Sequence, residues 1–140
     1  MSGAEIERQG GCACAQVGFR VRGEPLRIGI CHCLTCRKVS GSAFNLFAVF
    51  PAEAVTIEGE MSAWSATSDG PRRFCPACGS QLFHQGQPGG PEIEIKVGAF
   101  DAPNLFAPTY EAFAPRRETW LGDLGLKRYP GNRTGMGLRE

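Results

Sequence analysis

Seven cysteines fall in three tight groups, and any fold of this chain must bring them together in space. The stretch Cys31-His32-Cys33-Leu34-Thr35-Cys36 puts three thiols within six residues. In an extended segment, residues two apart face the same side, so Cys31 and Cys33 can reach one metal together. The spacing to Cys36 suits a tight turn that brings a third sulfur to the same point. Zinc is the natural guest of clustered thiolates and prefers four tetrahedral ligands. Three local ligands leave one position for water or a substrate, which is the signature of a reactive site.

The remaining cysteines form a C-x-C pair, Cys12 and Cys14, and a C-x-x-C pair, Cys75 and Cys78. Together they make one closed tetrahedral set, so the partition is a structural Zn(Cys)₄ and a Zn(Cys)₃. A metal joining Cys14 to Cys75 would close a long loop and remove much denatured-state freedom. An odd cysteine count argues against a fully paired disulfide framework. The alternative is two disulfides and three free thiols, but a C-x-C disulfide is strained.

With 140 residues, 42% of them apolar, the chain can bury a sizeable core and is expected to form one domain. Gly 19 and Pro 10 make up about a fifth of the residues, which favours short strands joined by turns over long helices. The formal charge is +1. Seven thiolates and the four positive charges of two zinc ions would shift it by −3, to −2. Nucleic acid held by bulk charge is therefore not expected, and no basic stripe with interleaved aromatics appears. Met1 to Gln9 has no apolar core and does not read as a signal peptide. No stretch is apolar enough to span a membrane, and reduced cysteines point to the cytoplasm.

Along the chain, Val17, Phe19 and Val21 alternate with polar or small residues as a strand with one buried face. Leu26, Ile28 and Ile30 alternate up to Cys31. Cys33 to Ser40 is expected to form one or two helical turns ended by Gly41. Phe44, Leu46, Ala48 and Phe50 read as a strand stopped at Pro51; Phe44 and Phe47 have opposite parity, so one is core and the other can wall the metal pocket. Short strands are expected at Val55–Ile57 and at Met61–Ala66, the latter closed by Ser68-Asp69-Gly70-Pro71. Arg73 to Gly79 reads as a zinc knuckle, with proline fixing φ in its loop and Gly79 free to take positive φ. Strands follow at Leu82-Phe83, at Ile93, Ile95 and Val97, and at Tyr110–Ala114. Trp120, Leu121 and Leu124 are expected to pack a final segment onto the core, and Pro130 to Glu140 to be a disordered tail.

Three motifs have rival readings. Cys75-Pro76-Ala77-Cys78 looks like a redox pair, but that chemistry needs a helix N-terminus at the first cysteine, and a strand-like Leu82-Phe83 follows instead. His32 lies between two cysteines that face the metal, so it points away and is expected to be hydrogen-bonded rather than a ligand. His84 reads as an ordinary polar strand position. Arg37 and Lys38 follow the reactive cluster, either as a solvated turn or as a clamp for a substrate carboxylate.

With these residues assembled, the chain resembles the glutathione-dependent formaldehyde-activating enzyme family, also called the CENP-V/GFA family. The resemblance rests on Gly11-Cys12-Ala13-Cys14 with Val17 and Phe19, on Cys31-His32-Cys33-Leu34-Thr35-Cys36-Arg37 with Gly41, and on Phe74-Cys75-Pro76-Ala77-Cys78-Gly79-Ser80. The segment from Gly98 to Asp101 and Trp120 also matches, so the similarity runs from about Gly11 to Leu124. It implies a mainly β chain, a β-tent of antiparallel sheets with short helical turns. Residues 1–10 would be an extension, 11–125 the zinc-binding domain and 126–140 a tail. It implies that Cys12, Cys14, Cys75 and Cys78 hold a structural zinc, and that Cys31, Cys33 and Cys36 hold a catalytic one; with only three thiolates, the latter is expected to be labile. One departure is Ala15, where members commonly have glycine.

The activity this implies is that of a carbon–sulfur lyase that joins glutathione, or another small thiol, to formaldehyde, giving S-(hydroxymethyl)glutathione. Arg37 or Lys38 would then bind a substrate carboxylate. The alternative is a zinc-stabilised β-tent binding module without catalysis. The fourth ligand at the three-cysteine zinc separates the two: a protein side chain there fits the module, an exogenous ligand the enzyme.

Overall fold

The structure is a computed structural model that describes residues 5–65, 70–86 and 89–134. Strand outweighs helix, 40% against 13%, as the glycine- and proline-rich composition requires. Two compact units are present: residues 1–26 with 48–105, and residues 27–47 with 106–140.

The first unit holds two sets of antiparallel pairings. In one, β1 (Glu7–Gly11) pairs β2 (Gly18–Arg22), and β2 pairs β5 (Val55–Glu58). In the other, β6 (Ser62–Ser65), β7 (Pro71–Phe74), β8 (Gln81–His84) and β9 (Glu92–Lys96) follow one another as neighbours. The period of two works as expected in β2, where Phe19 and Val21 are buried and Arg20 and Arg22 exposed, and in β9, where Ile93 and Ile95 are buried. Phe19 is the hub of this core. It meets Phe83 edge-on at 5.4 Å and Phe100 at 5.1 Å, and Phe100 also lies 6.2 Å from Phe50.

In the second unit β3 (Arg27–Cys31) leads into α1 (Leu34–Ser40), and β4 (Asn45–Pro51) starts here, running past Phe47 into the first unit. Here β10 (Tyr110–Ala112) runs parallel to β3 on one side and to β11 (Lys127–Arg128) on the other. All three residues of β10 are buried. Gly29, opposite Tyr110, leaves room for the Tyr110 ring, since a Cβ there would come within 2.4 Å of it. Helix α1 stops where expected: Gly41 takes φ 68°, and its N–H donates to the Arg37 carbonyl. Among the described residues no helix is long and apolar enough to cross a membrane.

Four expectations need correction. β1 was not legible, because Glu7, Arg8 and Gln9 show no apolar alternation; its ladder to β2 makes the strand. Leu26, expected to alternate with Ile28 and Ile30 in β3, lies ahead of that strand and is 52% exposed. Trp120 and Leu124 do not pack onto a core; they are 68% and 44% exposed, on an irregular stretch whose carbonyls at Leu121 and Gly122 serve Arg117. The chain beyond Pro130 is held as far as Thr134, with Gly131 buried and its carbonyl accepting the Phe113 N–H. Part of the turn expected at 68–71 and the last six residues of the tail lie outside the described residues.

Candidate metal centres

All seven cysteines are free thiols, gathered into two groups, one per unit. In the first, Cys12 follows β1 and Cys14 lies in the turn after it; Cys75 and Cys78 lie in the knuckle between β7 and β8. The knuckle closes on the Cys75 carbonyl, which accepts the Gly79 N–H at 2.8 Å, with Gly79 at φ 79°. The four sulfurs lie within 4.8 Å of one another. A tetrahedral zinc with Zn–S near 2.3 Å sets its sulfurs about 3.8 Å apart. The Cys12–Cys14 and Cys14–Cys75 sulfurs are each 3.7 Å apart, so the donor set fits zinc.

Neighbouring groups prepare these sulfurs for negative charge. The Val17 N–H donates to Cys12 Sγ at 3.1 Å and, against the effect of burial, holds that thiol below its ordinary value. Ser80 Oγ accepts the Ala13 N–H at 3.0 Å and lies 3.2 Å from Cys78 Sγ, linking two loops 67 residues apart. Its hydroxyl is the first cause of a Cys78 pKa lowered to about 5. Cys14 goes the other way: a hydrogen bond from the Gln16 backbone lowers it, but burial and the three neighbouring thiols push it up to about 11. A cation at the centre removes that mutual penalty.

The second group is Cys31, Cys33 and Cys36, again with sulfurs within 4.8 Å of one another. Cys31 ends β3. Cys33 is the N-cap of α1, its sulfur accepting the Cys36 N–H at 3.3 Å, and Cys36 lies in the first turn. A strand end and a helix cap thus aim three thiols at one point. Asn45, buried on β4, brings Nδ2 to 4.0 Å from Cys36 Sγ. Cys33 and Cys36 are buried and Cys31 is partly so, and as a group the three thiols are buried. Cys33 and Cys36, by hydrogen bonding and charge, push the Cys31 thiol strongly up, with burial adding to this. Three thiolates this close need a cation, and three soft sulfurs suit zinc. Among the described residues no histidine, aspartate, glutamate or further cysteine joins the group.

His32 is completely buried and sits apart from the thiols, with Nε2 2.8 Å from Glu111 Oε1. Glu111 is itself buried and receives Arg117 Nε at 2.6 Å. Burial alone would raise the Glu111 carboxyl, but the bonds from Arg117 and His32 hold it below the ordinary carboxylate range. Burial lowers the His32 pKa against the pull of Glu111, so the ring is neutral and its Nε2 carries the proton toward the carboxylate. Phe44 lies edge-on to His32 at 5.8 Å, while Phe47 is core against Tyr110. Arg37 is tied to Glu118 and to the Ala43 carbonyl, whereas Lys38 is exposed. His84, read as an ordinary polar position, pairs with Glu94 at 3.1 Å. Sequence reasoning missed Glu111, Arg117, Glu118 and Asn45. Only Glu111 left a signal, as a lone acid inside the apolar run Tyr110 to Phe113.

The family model for the glutathione-dependent formaldehyde-activating enzyme matches residues 7–116. An uncharacterized lyase of Schizosaccharomyces pombe is 29% identical over 77 residues, which is 55% of this chain and 56% of the yeast protein. The chain thus matches little more than half the length of that relative. A crystal structure of a Rhodobacter sphaeroides protein matches with a TM-score of 0.55 at 21% identity, over 69% of this chain and 91% of that one, a likeness of fold.

Proposed function

The chain belongs to the glutathione-dependent formaldehyde-activating enzyme family, and from that membership we propose that it is a zinc-dependent carbon–sulfur lyase acting on the adduct of a small thiol and formaldehyde. The observation that carries this reading is the group of Cys31, Cys33 and Cys36, three protein thiols with no fourth protein ligand among the described residues. A non-catalytic module would be expected to close that set with a side chain of its own. The yeast relative is named a lyase, the broad class to which the proposed reaction belongs.

Cys12, Cys14, Cys75 and Cys78 would hold a structural zinc, and Cys31, Cys33 and Cys36 a second one. Zinc at the second site would lower the pKa of an incoming thiol so that thiolate is present at neutral pH. The chain's own residues do the rest. Buried Cys33 and Cys36 fix two sides of the site, and α1 fixes their spacing. The position the three sulfurs leave on the metal would take the thiol, and holding the aldehyde there would make the encounter effectively intramolecular. Lys38, exposed two residues after Cys36, offers a cation for the carboxylate of a thiol such as glutathione. In the forward direction the sulfur–carbon bond forms, the carbonyl π bond breaks, and the proton lost by sulfur is made good on oxygen. Nothing is oxidised or reduced.

The test is the exchange of ¹³C-formaldehyde with glutathione, followed by NMR. Wild-type protein loaded with zinc should accelerate exchange above the spontaneous rate, and Cys33→Ser should abolish the acceleration while the chain stays folded. Serine keeps its proton at neutral pH and is a poor zinc ligand. No acceleration by the wild type with glutathione or with cysteine as the thiol would refute the reading.

A further inference from the structure

We propose that His32, Glu111 and Arg117 form a positioning unit that sets the direction in which Cys31 and Cys33 present their sulfurs. The inference rests on the reading of Cys31, Cys33 and Cys36 as a metal site. A cysteine side chain has a single heavy-atom torsion, so its Sγ goes where the Cα–Cβ bond and one staggered rotamer send it. Placing two sulfurs therefore means fixing the backbone between them, and the residue between them is His32.

His32 is held twice by the same strand. Its N–H donates to the Ala112 carbonyl at 3.1 Å, and its Nε2 lies 2.8 Å from Glu111 Oε1. In register, Ala112 faces Cys31 and Glu111 faces Ile30, so main chain and side chain are pinned to adjacent residues of β10. Cys33 has φ −63° and ψ 156°, so the segment is still extended there, and a side chain anchored on one face leaves its two neighbours directed to the other. Glu111 is anchored in turn. Arg117 gives it Nε at 2.6 Å and spends its remaining nitrogens on the Leu121 carbonyl at 3.0 Å and the Gly122 carbonyl at 2.8 Å. Arg128 Nε stands 3.5 Å from the other Glu111 oxygen, which has no hydrogen bond. The Phe44 ring closes on His32 edge-on.

Stability alone is a poor account of this arrangement. A buried ion pair is costly to desolvate, and well-packed apolar residues often do as well or better. A buried, charge-assisted hydrogen bond does supply one fixed geometry, which a ligand set requires.

The test uses the full chain with zinc at the four-thiol group and Co²⁺ alone titrated into the second. Wild type should take up one Co²⁺ with sulfur-to-cobalt charge-transfer bands and tetrahedral d–d bands. His32→Phe keeps the ring and removes the anchor; Glu111→Gln keeps the shape and removes the charge. Each should weaken the second Co²⁺ by roughly tenfold or more, the range seen when groups behind metal ligands are altered. Each should also shift the d–d bands while the four-thiol group keeps its zinc affinity. Unchanged Co²⁺ affinity and bands in both variants would overturn the proposal, as would an equal loss at both groups, the mark of a merely structural role. If His32→Phe does not fold, Glu111→Gln decides by the same criteria. A wild type that binds no second Co²⁺ would sink the metal-site reading and the proposal with it; a wild type that binds while both variants match it would sink the proposal alone.

Discussion

Arg37 Nη1 lies 2.5 Å from Glu118 Oε2, so the guanidinium one residue after Cys36 already holds a carboxylate of its own chain. The same nitrogen donates to the Ala43 carbonyl at 3.2 Å. The bond from Arg37 holds the Glu118 carboxyl below the ordinary range, and Trp120 Nε1 adds a second donor to the other oxygen. Arg37 thus ties α1 to the segment after the turn at 114–116, and Lys38 is the cation left facing solvent.

The division of labour between these two cations is measurable. Lys38→Ala should weaken glutathione binding about two- to fivefold, since an exposed charge pair is worth up to ~1 kcal/mol. Arg37→Ala should cost thermal stability more than affinity. Calorimetric titration and thermal unfolding of both variants check this. An unchanged affinity in Lys38→Ala beside a large loss in Arg37→Ala would reverse the assignment.

The four-thiol group should carry the fold. It ties the loop after β1 to the knuckle after β7, and Ser80 bridges the same two loops. Metal-binding free energy there would be folding free energy. Cys75→Ser should lower the unfolding temperature sharply and remove at least one zinc per chain, read by thermal unfolding and elemental analysis of the same sample. A wild-type transition with full zinc content would take Cys75 out of the closed site.

Ala15 sits between the two halves of the first cysteine loop at φ 68°, in the left-handed region that glycine occupies at no steric cost. A side chain with a Cβ is strained there by roughly 1–2 kcal/mol. Ala15→Gly removes the strain but frees the unfolded chain, so a net gain of about 0.5–1 kcal/mol is expected, measured by denaturant unfolding of the zinc-loaded protein. A loss of stability would mean that the turn is not strained at Ala15.

What the sequence made legible was local. Spacing picked out the three-thiol group and the two cysteine pairs, because C-x-C and C-x-x-C place sulfurs within reach of one ion; that Cys14 meets Cys75, 61 residues on, depends on the fold. Alternation placed β2 and β9, and Gly41 marked the end of α1. What stayed hidden depends on pairing between distant residues. β1 is a strand through its ladder to β2, not through its side chains. The parallel register of β10 against β3, which puts Glu111 behind His32, joins residues about eighty positions apart and leaves no periodic trace. The apolar letters of Trp120 and Leu124 suggested burial, yet the backbone there serves as an acceptor for Arg117 and leaves both side chains exposed.

The central claim is that the group of Cys31, Cys33 and Cys36 holds a zinc that takes a substrate thiol through its sulfur. The most direct measurement is a parallel calorimetric titration of zinc-loaded protein with glutathione and with S-methylglutathione, which cannot supply a thiolate. The account predicts saturable binding of glutathione, far weaker binding of the methylated form, and loss of the difference in Cys33→Ser. Equal affinity for the two ligands would contradict it.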